Sequence, residues 1–178
     1  MTILPKEKIN ISVDSLETIS NTDLADLCYN TEQAIKAGGG FGWITVPPRE
    51  VLKKYWNGML LVNTNILIVG RLNGDIAGSL QLSFYPPNNE AQKTIAKIQS
   101  HFVAPWARGY GLAKTMIDYA IVKSKENNKQ SIQLDIRETQ TAAIKLFESK
   151  GFIKWGENPA YAFVNGSSIK GYYYYKNI

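Results

Sequence analysis

Apolar and polar positions alternate over residues 9–14, with Ile9, Ile11 and Val13 on one side, which predicts a half-buried first strand. The period then lengthens to that of a helix over residues 22–37. Leu24, Leu27, Cys28 and Ile35 make its apolar side, Thr22 offers a capping hydroxyl, and Gly38-Gly39-Gly40 ends it. Pro47-Pro48 opens a second helix over 49–61, carried by Val51, Leu52, Tyr55, Trp56 and Met59. Strands over 66–72 and 76–84 flank Asn73-Gly74-Asp75, a hairpin signal. Beyond a Pro-Pro-Asn-Asn loop, the pattern predicts a strand over 94–103, a helix over 111–122, a strand over 131–136 and a helix over 139–150. Two last strands follow over 152–155 and 169–175, with a loop between them that holds Tyr161. Strands interleaved with helices, and hairpins at both ends, predict a mixed sheet in an α/β or α+β layer.

Composition narrows the function classes. A chain of 178 residues, 44% hydrophobic and 20% charged, suits one domain over 1–178 with a full core. No apolar run approaches a bilayer span, and residues 1–10 lack the apolar centre of a signal peptide, so a cytoplasmic location is expected. The single cysteine, Cys28, excludes an internal disulfide and a cysteine metal cluster; it is expected in the core. The net charge of +5 comes from scattered lysines with no arginine-rich run, which argues against nucleic acid and suits a polyanionic ligand.

The most informative stretch is Val-Ala-Pro-Trp-Ala-Arg-Gly-Tyr-Gly-Leu-Ala-Lys at 103–114, between a strand and a helix. Arg108, Gly111 and Ala113 set the spacing R-x-x-G-x-A. Small residues leave the backbone bare where a helix begins, and the free amides of a first helical turn, at the positive end of its dipole, attract phosphate. No Gly-Lys-Ser/Thr follows, so the Walker pattern fails, as does the three-glycine dinucleotide fingerprint.

This stretch resembles the acetyl-CoA motif of the GNAT superfamily of N-acetyltransferases, Q/R-x-x-G-x-G/A, with Val103-Ala104-Pro105 as its usual lead-in. The run from Ala143 through Leu146 and Phe147 to Gly151-Phe152 resembles the second family motif, A-x-x-L-Y-x-x-x-G-F. Among family types the chain is most similar to the tabtoxin-resistance acetyltransferases, through Gly38-Gly39-Gly40, the run from Ala77 to Ser83 and the closing strand over 172–176.

The resemblance implies a mixed, mostly antiparallel sheet with splayed middle strands flanked by helices, the acyl-CoA N-acyltransferase fold. It implies acetyl-CoA as co-substrate with no metal, a small amine acceptor and, by family habit, a homodimer. The backbone from Arg108 through Gly109, Tyr110, Gly111 and Leu112 to Ala113 would take the pyrophosphate, with Lys114 one turn on either reaching a phosphate or simply solvated. Phe102 and Val103 would pair with the pantetheine arm, the Val103 amide facing the thioester oxygen, and Gln140 and Phe147 would border the arm.

Departures from the family pattern bear on catalysis. Phe147 stands where a tyrosine often acts as acid, and Lys97 and Gln99 stand where a strand glutamate often acts as base. Three residues are candidates for the vacant roles. His101 has an ordinary pKa suited to a base, Asp135 closes the next strand, and Tyr161 is a candidate substrate contact or proton donor. Glu138 is a weaker candidate, near a helix start. Phe41 and Trp43 would form an aromatic lid or stack on a ligand. The expected reaction is direct acetylation of a small amino-acid-like, toxin or antibiotic amine. Acetylation of a protein N-terminus or lysine, and a CoA-binding sensor with little turnover, are the alternatives.

Overall fold

The computed structural model describes residues 9–39 and 41–178. Gly40, part of the glycine run, and residues 1–8, part of the N-terminus read for a signal peptide, lie outside the described residues. The chain runs β1 (Ile11–Leu16), α1 (Asn21–Lys36), α2 (Arg49–Met59), β2 (Asn65–Leu72), β3 (Asp75–Phe84), β4 (Ile95–Val103), a 3₁₀ turn (Pro105–Ala107), α3 (Leu112–Glu126), β5 (Ser131–Arg137), α4 (Thr141–Ser149), β6 (Ile153–Val164) and β7 (Ser167–Asn177). The strands form a seven-stranded sheet in the order β1-β2-β3-β4-β5-β7-β6, antiparallel except at β4 and β5. Parallel neighbours need a crossover, which α3 supplies.

Two buried clusters cover the sheet. One, on the α1 and α2 side, gathers Leu27, Cys28, Leu52, Trp56, Val69 and Phe102. The other, on the α3 and α4 side, gathers Ile68, Leu80, Ile98, Met116, Ile117, Ile132, Phe147 and Phe152. Cys28 is fully buried in the cluster on the α1 and α2 side, with its thiol pushed up by burial.

Several boundaries differ from the expected ones, and three of the differences have local reasons. Ser20, not Thr22, caps α1, its hydroxyl accepting the Asp23 amide at 3.0 Å. Helix α3 runs a turn further to Glu126 because Ser124 is buried and bonds back to the Ala120 carbonyl. Most consequential, β6 does not stop near Trp155. It continues through Tyr161 to a tight turn at Asn165-Gly166, where both residues take positive φ as they do at Asn73-Gly74. Tyr161 is therefore a strand residue, in a bulged stretch between Asn158 and Ala162.

The sheet opens at its centre. β4 and β5 pair only at Ile95, Ala96 and Lys97 opposite Ser131, Ile132 and Gln133, and then part. A bulge drives the opening. Opposite β3, the register passes from Gln81↔Gln99 to Ser79↔Phe102, so Ser100 and His101 together face Leu80. Ser100 takes a φ of 47°, a left-handed conformation that a non-glycine residue adopts at a cost. Across this bulge the strand changes faces: Ile98 belongs to the α3 and α4 core, Phe102 to the α1 and α2 core.

Candidate active site

The gap between β4 and β5 leads into two cavities. One, about 530 Å³, runs along the end of β4, Arg108, Ala113 and the start of α4. The other, about 430 Å³, lies among the bulge of β4, the end of β5, the Phe41–Ile44 loop, Phe147 and the 161–164 segment of β6. His101, Arg137, Gln140, Ala143 and Val164 border both.

The first cavity ends at the cradle foreseen in the sequence. Gly109 and Gly111 have φ of 87° and 84°, and Gly111 is the cap of α3 with no side chain bonded to the helix end. A side chain at either glycine would meet only open space, so backbone conformation, not crowding, selects glycine. The amides from Gly109 through Tyr110, Gly111, Leu112 and Ala113 to Lys114 donate to nothing among the described residues. Arg108 and Lys114 are exposed beside them. The cradle is held from behind: Leu112 and Met116 press on Gly70 of β2, where any side chain would strike Leu112 at 2.8 Å. The Trp106 indole donates to Asn30 Oδ1 at 2.8 Å, and Asn30 in turn donates to the Ile76 carbonyl at 2.6 Å, pinning the 3₁₀ turn to α1 and β3.

Between cradle and gap, the Ala104 amide bonds to the Ala77 carbonyl of β3 at 2.8 Å. Successive amides of a strand point opposite ways, so the Val103 amide points into the gap, where β5 has already left. An extended amide-bearing arm suits this vacant strand edge, and a pyrophosphate suits the six free amides. These residues fit a CoA thioester, which supplies an activated acyl group when bound.

The second cavity is lined by side-chain chemistry. The bulge sends Ser100 toward Tyr55 of α2, with 3.3 Å between their hydroxyl oxygens, and His101 toward Phe147 of α4, edge to face at 5.6 Å. His101 is largely enclosed, and its buried Nε2 has no hydrogen-bond partner among the described residues. Burial lowers its pKa from 6.5 to about 4, so the imidazole is neutral at pH 7 and a weak base. Phe147 is buried as a wall of this cavity.

The Tyr161 hydroxyl donates to Asp135 Oδ2. To get there the ring lies over β7 at Gly171, where a β-carbon would fall 2.1 Å from Tyr161 Cγ. Burial, and then the Asp135 carboxylate, raise the Tyr161 pKa well above that of an ordinary phenol, so it keeps its proton.

Other expected residues have structural duties. The Gln140 amide donates to the Gly38 carbonyl at 2.6 Å, bracing the α1–α2 loop rather than standing free. Glu138 accepts the Lys170 amide at 3.1 Å, which ties β5 to β7 away from the gap. Phe41 is buried against Phe102 at 5.1 Å, and Trp43 packs on Tyr55. In β7, the Tyr174 hydroxyl donates to Glu148 at 2.8 Å, and Tyr173 stacks near Trp155. Five residues at the cavity or behind its wall are not among the expected site residues: Ser100, Arg137, Tyr55, Gln81 and Gly171. Arg137 sits two residues past Asp135, a spacing that signals a shared strand face. Tyr55 with Gln81 behind Ser100, and Gly171 under Tyr161, carry no local signal.

Residues 28–152 match the acetyltransferase (GNAT) family. The chain belongs to the GNAT family. It is an N-acetyltransferase, of a family that uses acetyl-CoA. An uncharacterized N-acetyltransferase of Azospirillum brasilense, in the hisH-hisA intergenic region, is 45% identical over 131 residues, 74% of this chain and 78% of that protein. Among solved structures, an N-acetyltransferase from Staphylococcus aureus Mu50 superposes with a TM-score of 0.80 at 18% identity, covering 94% of this chain and 98% of that one. A phosphinothricin acetyltransferase from Sinorhizobium meliloti, solved with acetyl-CoA, gives 0.78 at 16% identity over 94% of this chain and 88% of that one. The GNAT acetyltransferase fold follows from these matches. No helix among the described residues is long and apolar enough to cross a membrane, and no cluster of His, Cys, Asp or Glu among them is placed to hold a metal.

Proposed function

We propose that this GNAT enzyme transfers acetyl directly from acetyl-CoA to a primary amine of a small acceptor, of the amino-acid-like, toxin or antibiotic kind. The observation that carries this reading is the Asp135–Tyr161 pair on the wall of the 430 Å³ cavity beside the gap. The sequence resemblance to the tabtoxin-resistance acetyltransferases, through Gly38-Gly39-Gly40 and the run from Ala77 to Ser83, supports a small acceptor. A cavity roofed by the Phe41–Ile44 loop and β6 suits such a molecule better than a polypeptide, which needs an open groove.

Acetyl transfer to an amine requires a positioned donor, an unprotonated amine and a proton for the departing thiolate. Arg108 and the amides through Ala113 hold the phosphates, and Phe102 and Val103 align the arm, with the Val103 amide polarising the thioester carbonyl. Asp135 takes the ammonium proton through the oxygen that Tyr161 leaves free. Tyr161, still protonated, supplies the proton for the thiolate and recovers one from Asp135, which then takes the second nitrogen proton as the amide forms and passes it to solvent. His101, neutral and with Nε2 unpartnered at the border of both cavities, is a hydrogen-bonding group rather than the main base.

The test is steady-state turnover with calorimetric titration of acetyl-CoA. Asp135→Asn is expected to lower kcat about 100-fold and Tyr161→Phe about tenfold, with acetyl-CoA affinity retained in both. Unaltered kcat in both variants would remove the pair from the mechanism.

A further inference from the structure

We infer that the acceptor carries a carboxylate beside its amine, and that Arg137 reads it, with the Ser100 hydroxyl as a second donor. This rests on the amine-acetylation reading and adds to it the acceptor's second functional group.

Arg137 is a half-buried cation that forms no direct ion pair among the described residues. Its Nη2 donates to two neutral acceptors, the Gly39 carbonyl at 3.0 Å and the Phe41 carbonyl at 2.8 Å. The acids closest in sequence are engaged elsewhere: Asp135 by Tyr161, Glu138 by the Lys170 amide. A guanidinium has five N–H donors in a planar fork that fits a carboxylate, and Nε and Nη1 here have no partner among the described residues. A partly desolvated charge without a counter-charge is costly, so the wall is incomplete until an anion meets it. The two carbonyls fix the fork in place, so an incoming carboxylate meets a pre-organised group.

Ser100 supplies an independent observation. Gln81 Nε2 donates to the Tyr55 hydroxyl at 2.5 Å, and the Tyr55 and Ser100 hydroxyl oxygens lie 3.3 Å apart, with either able to donate. With Tyr55 as donor, the Ser100 proton is available to the cavity that Ser100 and Arg137 both line. The bulge holds Ser100 at a φ of 47°, a strained backbone at a cavity wall. The same cavity carries the opposite charge at Asp135, two residues from Arg137 on one face of β5 and so about 6.6 Å away along the strand. One wall thus presents an ammonium acceptor and a carboxylate donor at neighbouring same-face positions of β5, the charge pattern of a small zwitterion.

Matched pairs of acceptors test this: L-methionine against 3-(methylthio)propylamine, L-phenylalanine against phenethylamine, and L-lysine against cadaverine, each followed by thiol release. In at least one pair, kcat/KM is expected to favour the carboxylate-bearing member by about 100-fold or more, expressed mainly in KM. Arg137→Gln should bring that pair to within about threefold, Arg137→Lys should keep about tenfold because charge survives without the fork, and Ser100→Ala should lower the preference about tenfold. Acetylation of both members at equal rates overturns the carboxylate proposal and leaves the amine reading standing. An Arg137→Gln enzyme that loses acetyl-CoA affinity while keeping the preference also overturns it, assigning Arg137 to the donor side. Failure of every amine, with acetyl-CoA still bound, overturns both.

Discussion

The two halves of the site are built by opposite means. The donor cradle is backbone: six consecutive amides at one helix start, shaped by two glycines and braced from below by Leu112 and Met116. The acceptor cavity is side chain: Ser100, Asp135, Arg137 and Tyr161 arrive from three strands, and α2 and α4 stand behind them. A backbone cradle depends little on the side chains of its neighbours. A side-chain cavity changes with each substitution, which is where acceptors are distinguished. Damage to the cradle should therefore cost donor binding, and damage to the cavity should cost turnover or selectivity.

The largest expected effect breaks the cradle. Gly111→Trp places an indole over the first amides of α3 and forces a bulky residue to a φ of 84°. Several charge-assisted hydrogen bonds go together, so acetyl-CoA affinity should fall about a thousandfold by calorimetry while the circular dichroism spectrum stays that of the folded protein. Retained affinity would mean that the phosphates sit elsewhere.

How much of each half was legible in the sequence follows from the same contrast. The cradle lies within Arg108 to Lys114, and its chemistry is read from neighbouring letters. The bulge at Ser100-His101, the splay beyond Lys97 and the placing of Asp135 against Tyr161 depend on register between strands, which no local pattern encodes. Asn165-Gly166 did carry a local signal, the same pair that turns β2 into β3. Reading it would have put Tyr161 in a strand rather than a loop. The ordinary pKa of a histidine makes His101 a candidate base, whereas packing among Phe147 and its neighbours removes the water on which that value depends. Gln140 shows the limit from the other side: its motif position was readable, its bond to Gly38 was not.

A second effect sharpens the comparison by pH. The folded His101 value of about 4 lies below the 6.5 of an unfolded chain. Between those values the unfolded chain binds a proton that the folded protein refuses, so stability falls as pH drops from 6.5 to about 4 and is unaffected by this group above 6.5. The difference amounts to about 3 kcal/mol over the window. His101→Phe keeps an aromatic wall against Phe147 and removes the titration. Urea unfolding at pH 7.5 and 4.5 should show the variant losing about 2–3 kcal/mol less than the natural protein between the two. Equal losses would mean that the ring is hydrated.

The smallest effect separates position from chemistry within the cavity. Gly171 contributes no functional group, yet it is the slot through which Tyr161 crosses β7 to Asp135. Its backbone needs no positive φ, so alanine fits the strand conformation, but its β-carbon would fall 2.7 Å from Tyr161 Cβ as well, so the ring must leave and β6 must shift slightly. Gly171→Ala should therefore behave like Tyr161→Phe, with kcat down about tenfold and acetyl-CoA affinity kept. In the double variant the two losses should not multiply, because both remove the same contact. Multiplied losses would assign Gly171 a role apart from Tyr161. A Gly171→Ala enzyme at full rate would show that turnover does not need the phenol at Asp135, and that the acceptor cavity finds its proton elsewhere.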